Sequence, residues 1–182
     1  MPNLVIIAGP NGSGKSTAAP VLLRNTVNIN NFVNADVIAQ GLSAFYPEKV
    51  AIQAGRIMLD RIHQLAHENT TFAFETTLAS RTFLPWITRL KNKNYHLYLV
   101  FLWLKNEELA ISRVQARVKM GGHSVPEETI RRRYHSGLKN FFQLYRPIAD
   151  SWRLYDNSDI NTLNLIASGE KNIALKIEQV DL

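Results

Sequence analysis

One loop near the start of the sequence constrains the fold more than any other part of the chain. Leu4–Ala8 is a short apolar run, and Gly9–Ser16 after it matches the pattern G-x-x-x-x-G-K-[S/T] in full. An apolar run that ends at a glycine is typical of a strand buried on both faces of a sheet. A helix is predicted from Lys15 to about Asn25. The order of strand, glycine loop and helix predicts an α/β fold built on parallel strands.

The glycine loop has the composition of a phosphate-binding site. Its glycines allow the backbone to wrap so that successive N–H groups point at an anion, and the helix contributes the positive end of its dipole. The Lys15 ammonium is expected to reach the β- and γ-phosphates of a nucleotide, and the Ser16 hydroxyl to bind Mg²⁺. The flanking strand and helix disfavour the alternative, a chance match in a glycine-rich turn. The predicted nucleotide-binding residues of the loop are Gly9, Pro10, Asn11, Gly12, Ser13, Gly14, Lys15, Ser16 and Thr17.

Strand and helix patterns alternate along the rest of the chain. Strands are expected at Phe32–Ala35, Thr71–Phe74, Tyr95–Leu104 and Trp152–Tyr155, with two more strand-like runs between about Asn161 and Val180, separated by Gly169. Helices are expected from Pro47 (with a buried stripe of Ala51, Ala54, Met58, Ile62 and Leu65), over 81–93, after the cap Asn106, and after the cap Ser124 with Pro126 and Glu127 in its first turn. The predicted fold class is therefore α/β, a three-layer P-loop NTPase sandwich with a mostly parallel central sheet. Residues 1–182 are interpreted as a single domain with a small helical lid at about 113–135.

Two predicted strands end in lone carboxylates. Asp36 follows the strand at 32–35, and Glu75 follows the strand at 71–74. Ligands of open parallel sheets bind beyond the carboxyl ends of the strands, so both acids are expected beside the phosphates. Asp36 is the candidate base for a substrate hydroxyl, and Glu75 is a candidate to hold Mg²⁺ through water or to bind a substrate hydroxyl. A helix cap or a structural ion pair remains the alternative for each acid.

The rest of the sequence narrows the class of P-loop protein. A GTPase would carry an Asn-Lys-x-Asp motif, and a transporter ATPase a signature helix and a strand ending in Asp-Glu, and neither pattern occurs. There is no cysteine, which excludes disulfides, thiolate metal sites and cysteine nucleophiles. No apolar run approaches the roughly 20 residues of a membrane helix. We therefore expect a cytoplasmic protein without a membrane partner.

The positive charge is concentrated in one segment. Residues 113–153 hold nine Lys and Arg against three acids, which gives +6, whereas the remaining residues carry twelve of each sign. Such a block favours a polyanionic ligand, and its alternative is a solvated helical face. Arg113 and Arg117 share one face of a predicted helix, and Arg131–Arg133 lie early in the next one. A lid of these two helices is expected to bring arginines onto the transferring phosphoryl group. His123, between the helices, is interpreted as a loop histidine.

Several segments taken together resemble the zeta-toxin family of bacterial P-loop kinases. They cover residues 3 to 158 in order, and the text around the lid is more diagnostic than the glycine loop. The matching segments are Gly9–Thr17, Asn34–Asp36, Phe74–Leu78, Arg113–Val118, Gly121–Pro126, Ile130–Tyr134 and Tyr155–Ser158. The resemblance implies ATP- or GTP-dependent phosphorylation of a sugar hydroxyl, with Mg²⁺. Toxin members phosphorylate UDP-N-acetylglucosamine, and a small antitoxin protein blocks their nucleotide site.

The same resemblance assigns roles to individual residues. Asp36 falls on the family's catalytic base, and Arg113 or Arg117 on an arginine that acts at the phosphates. Lys15 of the glycine loop is the remaining catalytic candidate. Glu75 and Thr77 fall on a substrate-contacting pair, to which we add Arg81 because an arginine is expected close to this run. Asn157 is expected to bind the nucleotide.

Two other functions remain open at this point. The basic segment would suit a nucleic-acid-binding or polynucleotide-processing P-loop protein, although nucleic acid is not the partner that we expect. A regulatory ATP-binding module without an acceptor would use the same glycine loop. A nucleotide and a nucleotide sugar remain the preferred ligands.

Overall fold

Parallel strands at the centre of the sheet bring the two candidate carboxylates and the glycine loop to one edge. The computed structural model describes residues 1–24, 29–122, 124–159, 162–171 and 173–177. The described strands are β1 (Asn3–Ala8), β2 (Phe32–Val33), β3 (Phe72–Thr76), β4 (His96–Trp103), β5 (Ser151–Asp156), β6 (Asn164–Glu170) and β7 (Ile173–Ile177). They form one sheet in the order β2-β3-β1-β4-β5-β6-β7, which is parallel from β2 to β5 and antiparallel from β5 to β7. The α/β fold class with a mostly parallel sheet is thus confirmed.

Helices cover both faces of the sheet. The described α-helices are α1 (Lys15–Arg24), α2 (Ala35–Leu42), α3 (Ala51–His67), α4 (Phe83–Asn92), α5 (Glu107–Lys119) and α6 (Glu127–Asn140). Short helical turns precede α3 at Pro47–Val50 and follow α6 at Phe141–Tyr145 and Arg146–Ile148. No helix among these residues is long and apolar enough to cross a bilayer.

The alternation of side chains along β1 explains the layers. Leu4 and Ile6 point to the face that α3 and α4 cover, and they belong to the main apolar cluster with Met58 and Ile87. Val5 and Ile7 point to the opposite face, where they form a smaller cluster with residues of α1. Because both faces of β1 are covered, its residues are almost all apolar, as expected of a central parallel strand.

Helices α5 and α6 pack against each other through a third apolar cluster. The cluster contains Leu104, Ala110, Ile111, Val114, Ile130 and Tyr134. Arg131 of α6 also pairs with Glu107, Glu108 and Glu127, so the first turns of the two helices are joined. Arg131 is therefore committed to carboxylates of these helices.

Asp150 joins three elements at the amino edge of the sheet. Its carboxylate accepts hydrogen bonds from the Leu97 N–H at 2.8 Å and from the Lys91 ammonium at 2.9 Å. Burial works against ionisation of this group, but the two hydrogen bonds outweigh it and lower the pKa of Asp150. Asp150 thus stabilises the packing of α4 beside the starts of β4 and β5.

The structure corrects several details of the sequence prediction. The strand at 32–35 ends at Val33, because Asn34 caps an eight-residue helix, α2, that the prediction missed. Ala51, expected in the buried stripe of α3, is exposed at the start of that helix. Ser124 does not cap α6, because Pro126 occupies the cap position with an extended backbone and no capping side chain.

Gly169 was expected between the last two strands and instead lies within β6. A Cβ atom at this position would lie 2.7 Å from the Trp152 ring and 2.2 Å from the Ile173 carbonyl, so the glycine allows close strand packing. Asn25, His123, Asn161 and Val180 lie outside the described residues.

Candidate active site

The glycine loop joins the end of β1 to the start of α1 with the backbone curvature that an anion site requires. Gly12 and Gly14 have φ values of +77° and +79°, which residues with a side chain rarely adopt. A Cβ atom on Gly12 would also lie 2.7 Å from the Ala110 carbonyl oxygen. The loop is therefore fixed between α1 and α5, and the amino end of α1 opens toward the cleft.

Lys15 lies at the centre of the charges around this loop. Its ammonium donates a hydrogen bond to the Pro10 carbonyl at 2.8 Å and lies 3.7 Å from a carboxylate oxygen of Glu75. The side chain is only 7% exposed, and burial lowers the pKa of Lys15, while Glu75 and Asp36 act in the opposite direction. The carboxylates thus favour the charged form that phosphate binding needs.

Ser16, Asn34 and Glu75 form a hydrogen-bonded cluster beside Lys15. The Ser16 hydroxyl donates to Glu75 Oε2 at 2.8 Å, and Asn34 Nδ2 donates to the same oxygen at 2.7 Å and to Ser16 Oγ at 3.2 Å. A hydroxyl and a carboxylate are hard oxygen ligands of the kind that Mg²⁺ prefers, and here they adjoin the loop that would hold a triphosphate. The cluster therefore fits the role expected of Ser16 with a nucleotide-bound Mg²⁺.

Asn34 is a site residue that the sequence analysis left without a role. Its Oδ1 accepts hydrogen bonds from the Asp36 and Val37 N–H groups, so it caps α2, while its Nδ2 holds Glu75. The signal in the sequence is an Asn two residues before an acid at the start of an apolar stretch. Its second partner is 41 positions away, which the sequence does not reveal.

Asp36 lies in the first turn of α2 with an exposed side chain. The proposed alternative of a helix cap is wrong, because Asn34 takes that position. Among the described residues Asp36 has no ion pair within 4 Å, which also disfavours a structural salt bridge. Asp36 borders both the cleft beside the glycine loop and a small cavity that extends toward Pro47 and Ala51. Asp36 therefore lies exposed beside the glycine loop.

The cleft beside the glycine loop brings most of the predicted site residues together. It is lined by Asn11, Gly12, Gly14, Lys15, Ser16, Thr17, Asp36, Glu75, Arg113 and Arg117. Gly9, Pro10 and Ser13 are buried within the loop itself. Thr77 and Arg81 do not line this cleft: Thr77 is half-buried in the segment after β3, and Arg81 is exposed.

The two arginines that line the cleft differ in their contacts. Arg113 donates from both terminal nitrogens, to the carbonyls of Asn157 at 2.7 Å and Ser158 at 2.6 Å. The Asn157 side chain in turn donates to the Ser13 carbonyl at 2.7 Å. Arg113 is thus connected to the glycine loop through the turn after β5. Arg117, one helical turn further along α5, also borders the cleft.

Arg133 of α6 reaches the glycine loop from the other side. Its guanidinium donates to Asn11 Oδ1 at 3.3 Å. Burial and the neighbouring Arg132 lower the pKa of Arg133, and Asp36 raises it, which places this cation in the electrostatic field of the site. The sequence indicated Arg133 only as one of three consecutive arginines, and the structure separates it from Arg131.

Comparison with known proteins agrees with this arrangement. The family model for Zeta toxin matches residues 1–166. The chain belongs to the zeta-toxin family. A Haemophilus influenzae protein of unassigned function is 28% identical over 130 residues, which cover 71% of this chain and 91% of that protein.

Solved structures share the fold of this family member at low sequence identity. A chain of the AvrRxo1-ORF1:AvrRxo1-ORF2 complex with sulphate ions has a TM-score of 0.74 at 17% identity. The match covers 98% of the present chain, which spans only 61% of the length of the AvrRxo1 complex chain. A structure of the PezAT toxin-antitoxin system of Streptococcus pneumoniae has a TM-score of 0.67 at 14% identity, covering 92% of this chain and 72% of its own. A gluconokinase from Sinorhizobium meliloti has a TM-score of 0.53 at 14% identity, covering 87% of this chain and 84% of its own. Family membership and these neighbours support a P-loop phosphotransferase.

Proposed function

We propose that this zeta-toxin family member is a kinase that transfers the γ-phosphoryl group of ATP or GTP to a sugar hydroxyl. The observation that carries the proposal is the position of Asp36. This carboxylate is exposed, caps no helix, and borders the same cleft as Lys15 and Ser16. A nucleotide-binding module without an acceptor would have no need for such a group beside the phosphates.

The transfer follows from these positions. The acceptor hydroxyl oxygen attacks the γ-phosphorus, the bond from that phosphorus to the β–γ bridging oxygen breaks, and the nucleoside diphosphate leaves. Asp36 orients the hydroxyl and accepts its proton. Lys15 stabilises the negative charge on the β- and γ-phosphates, and Arg113 or Arg117, which both border the cleft, acts on the transferring group.

The proposal includes a metal-binding role for Ser16 and Glu75. Mg²⁺ entering with the nucleotide would be held by the Ser16 hydroxyl and by Glu75, directly or through water, and would neutralise phosphate charge. Asn34 fixes the Glu75 carboxylate through its 2.7 Å hydrogen bond. Asn157 supports the nucleotide site by holding the Ser13 carbonyl.

UDP-N-acetylglucosamine is the first acceptor that we propose, because of the family to which the chain belongs. On the acceptor side we place Asp36, Glu75, Thr77 and Arg81. A small antitoxin protein is the proposed protein partner, since neighbours of this fold come from toxin-antitoxin complexes. A helical lid at about 113–135 and a cytoplasmic location remain parts of this proposal.

The test is a transfer assay with purified protein, Mg²⁺ and ATP or GTP. UDP-N-acetylglucosamine, free sugars and an oligonucleotide with a free 5′-hydroxyl are offered separately, and the phosphorylated product is detected by mass spectrometry. We expect product with a nucleotide sugar and none with Lys15→Ala. Preferred phosphorylation of the oligonucleotide would favour polynucleotide processing, and nucleotide binding without transfer to any acceptor would favour a regulatory module.

A further inference from the structure

The segment that follows β3 is held in place by side chains from the end of α6 and from the helical turn after it. Asn140 donates from Nδ2 to the carbonyls of Leu78 at 2.8 Å and Ala79 at 3.2 Å. Tyr145 donates from its hydroxyl to the Ser80 carbonyl at 2.7 Å. Three successive carbonyl groups of residues 78–80 are therefore bound by two side chains.

Both donors are built into the interior. Asn140 is 3% exposed and Tyr145 is fully buried. Burial raises the pKa of Tyr145 to about 12, so its hydroxyl keeps its proton at neutral pH. A buried amide or hydroxyl is retained where its hydrogen bonds are made, because an unpaired polar group is costly in the interior.

The segment needs support because its own conformation is unfavourable. Leu78 has a φ of +57°, in the left-handed region that leucine rarely adopts, although its side chain is fully buried. The Leu78 N–H is satisfied locally, by Thr76 Oγ1 at 3.1 Å. The carbonyl groups of residues 78–80 accept their hydrogen bonds from Asn140 and Tyr145.

The same helix also reaches the nucleotide loop. Arg133 binds Asn11 of that loop, and Asn140 lies seven residues further along α6, about 10 Å along the helix axis. One helix therefore contacts the nucleotide loop from its middle and the segment after β3 from its end. That segment begins with Thr77, directly beyond the end of β3.

We propose that Asn140 and Tyr145 are positioning residues for the acceptor substrate, because they hold residues 78–80, which directly follow Thr77, and so fix the place at which Thr77 meets it. The inference rests on the proposed function, which places Thr77 on the acceptor side with Asp36, Glu75 and Arg81. It assigns a role in substrate affinity to two buried side chains that touch neither the nucleotide loop nor the cleft.

The test compares Asn140→Leu and Tyr145→Phe with a matched control, Tyr95→Phe. Tyr95 is also buried and donates from its hydroxyl to a backbone carbonyl, that of Thr70 at 2.9 Å, but at the opposite edge of the sheet. If the Tyr145 hydroxyl had only a structural role, its removal would affect the acceptor KM no more than removal of the Tyr95 hydroxyl does. Only the Tyr145 hydroxyl is expected to act on the acceptor.

With UDP-N-acetylglucosamine as the probe, Asn140→Leu is expected to raise the acceptor KM about tenfold or more, and Tyr145→Phe about threefold or more. The Kd for ATP is expected to stay within about twofold of the wild-type value in all variants, and Tyr95→Phe to leave the acceptor KM unchanged. An unchanged acceptor KM in folded Asn140→Leu and Tyr145→Phe would overturn the proposal, as would an equal rise in Tyr95→Phe.

Amide hydrogen exchange separates this proposal from the proposed function. In the free protein, Tyr145→Phe is expected to speed exchange in residues 77–82 and to leave the nucleotide loop unchanged. If the wild-type protein phosphorylates no sugar, the proposed function fails, and the exchange result still decides whether these side chains hold the segment. Unchanged exchange at 77–82 in both α6-end variants overturns the proposal whatever the acceptor.

Discussion

Gly137 lies in the interior of α6, where replacement by alanine ordinarily stabilises a helix. At this position, however, a Cβ atom would lie 2.4 Å from the Thr77 carbonyl oxygen and 3.6 Å from its carbonyl carbon. The obstacle is backbone, which cannot rotate away as a flexible side chain would. We therefore predict that Gly137→Ala destabilises the protein and displaces the segment after β3.

The magnitude follows from two opposing terms. The gain in helix propensity from glycine to alanine is about 1 kcal/mol. Relief of the contact requires the helix or the segment to move by about 1 Å, and overpacking of this kind costs about 1–3 kcal/mol. The free energy of unfolding should therefore fall by about 0–2 kcal/mol, which corresponds to a decrease in Tm of up to about 8 °C for a chain of this size.

Gly55 provides the matched control for this measurement. It also lies inside a helix, α3, but a Cβ atom there would meet no atom within 4 Å. Gly55→Ala is expected to raise the free energy of unfolding by about 1 kcal/mol in urea titrations, because only the propensity term remains. If Gly137→Ala stabilises the protein as much as Gly55→Ala does, the close packing of α6 on Thr77 is refuted.

Three further predictions concern charged groups. Lys15→Ala should weaken ATP binding at least about tenfold, or about 1.4 kcal/mol, and unchanged affinity in calorimetry would refute the phosphate role of the loop. Arg117→Ala should lower kcat by about 10³-fold with little change in the nucleotide Kd. Arg113→Ala should lower kcat in the same way and also lower Tm, because the carbonyls of Asn157 and Ser158 lose their hydrogen-bond donor. Near-native turnover in both variants would reject the lid hypothesis. The lowered pKa of Asp150 gives stability that is present above the unfolded pKa of about 3.9 and is lost as the pH falls through the folded value. Asp150→Asn should therefore cost about 1–2 kcal/mol at pH 7 in denaturant titrations, and the difference should shrink toward pH 3; a constant difference would contradict it.

The parts of the fold that depend on residues close together in the sequence could be predicted from the sequence alone. The strand, loop and helix from Asn3 to Arg24 are encoded by an apolar run, glycines and a lysine within a short stretch. The helix α2 was missed because it has only eight residues, and Val37 and Leu42 are exposed rather than buried. Its start depends on the Asn34 cap, which reads equally well as the end of a strand.

In the candidate site, too, local sequence patterns predicted some features, whereas contacts between distant residues could not be predicted. Asp36 and Glu75 were predicted to lie beside the phosphates because the carboxyl ends of parallel strands share one edge of the sheet, and the structure pairs β2 with β3 in parallel. The contact of Arg133 with Asn11 joins residues 122 positions apart, and the choice among three consecutive arginines depends on which face of α6 turns inward. Local patterns carry no information about that orientation. The same holds for Asn140, whose partners lie about 60 positions away.

The central claim is that Asp36 acts on an acceptor rather than on the nucleotide or the fold. Asp36→Asn keeps the size of the side chain but cannot take a proton. Because Asn34 caps α2, the substitution should cost stability only through the loss of a negative charge in the first turn, about 0.3–1 kcal/mol.

The decisive measurement is kcat and nucleotide Kd for wild type and Asp36→Asn, with UDP-N-acetylglucosamine first and the wider acceptor panel after it. We predict that kcat falls about 10²-fold or more, while the nucleotide Kd stays within about twofold. A folded Asp36→Asn protein that phosphorylates its acceptor at the wild-type rate would contradict the account.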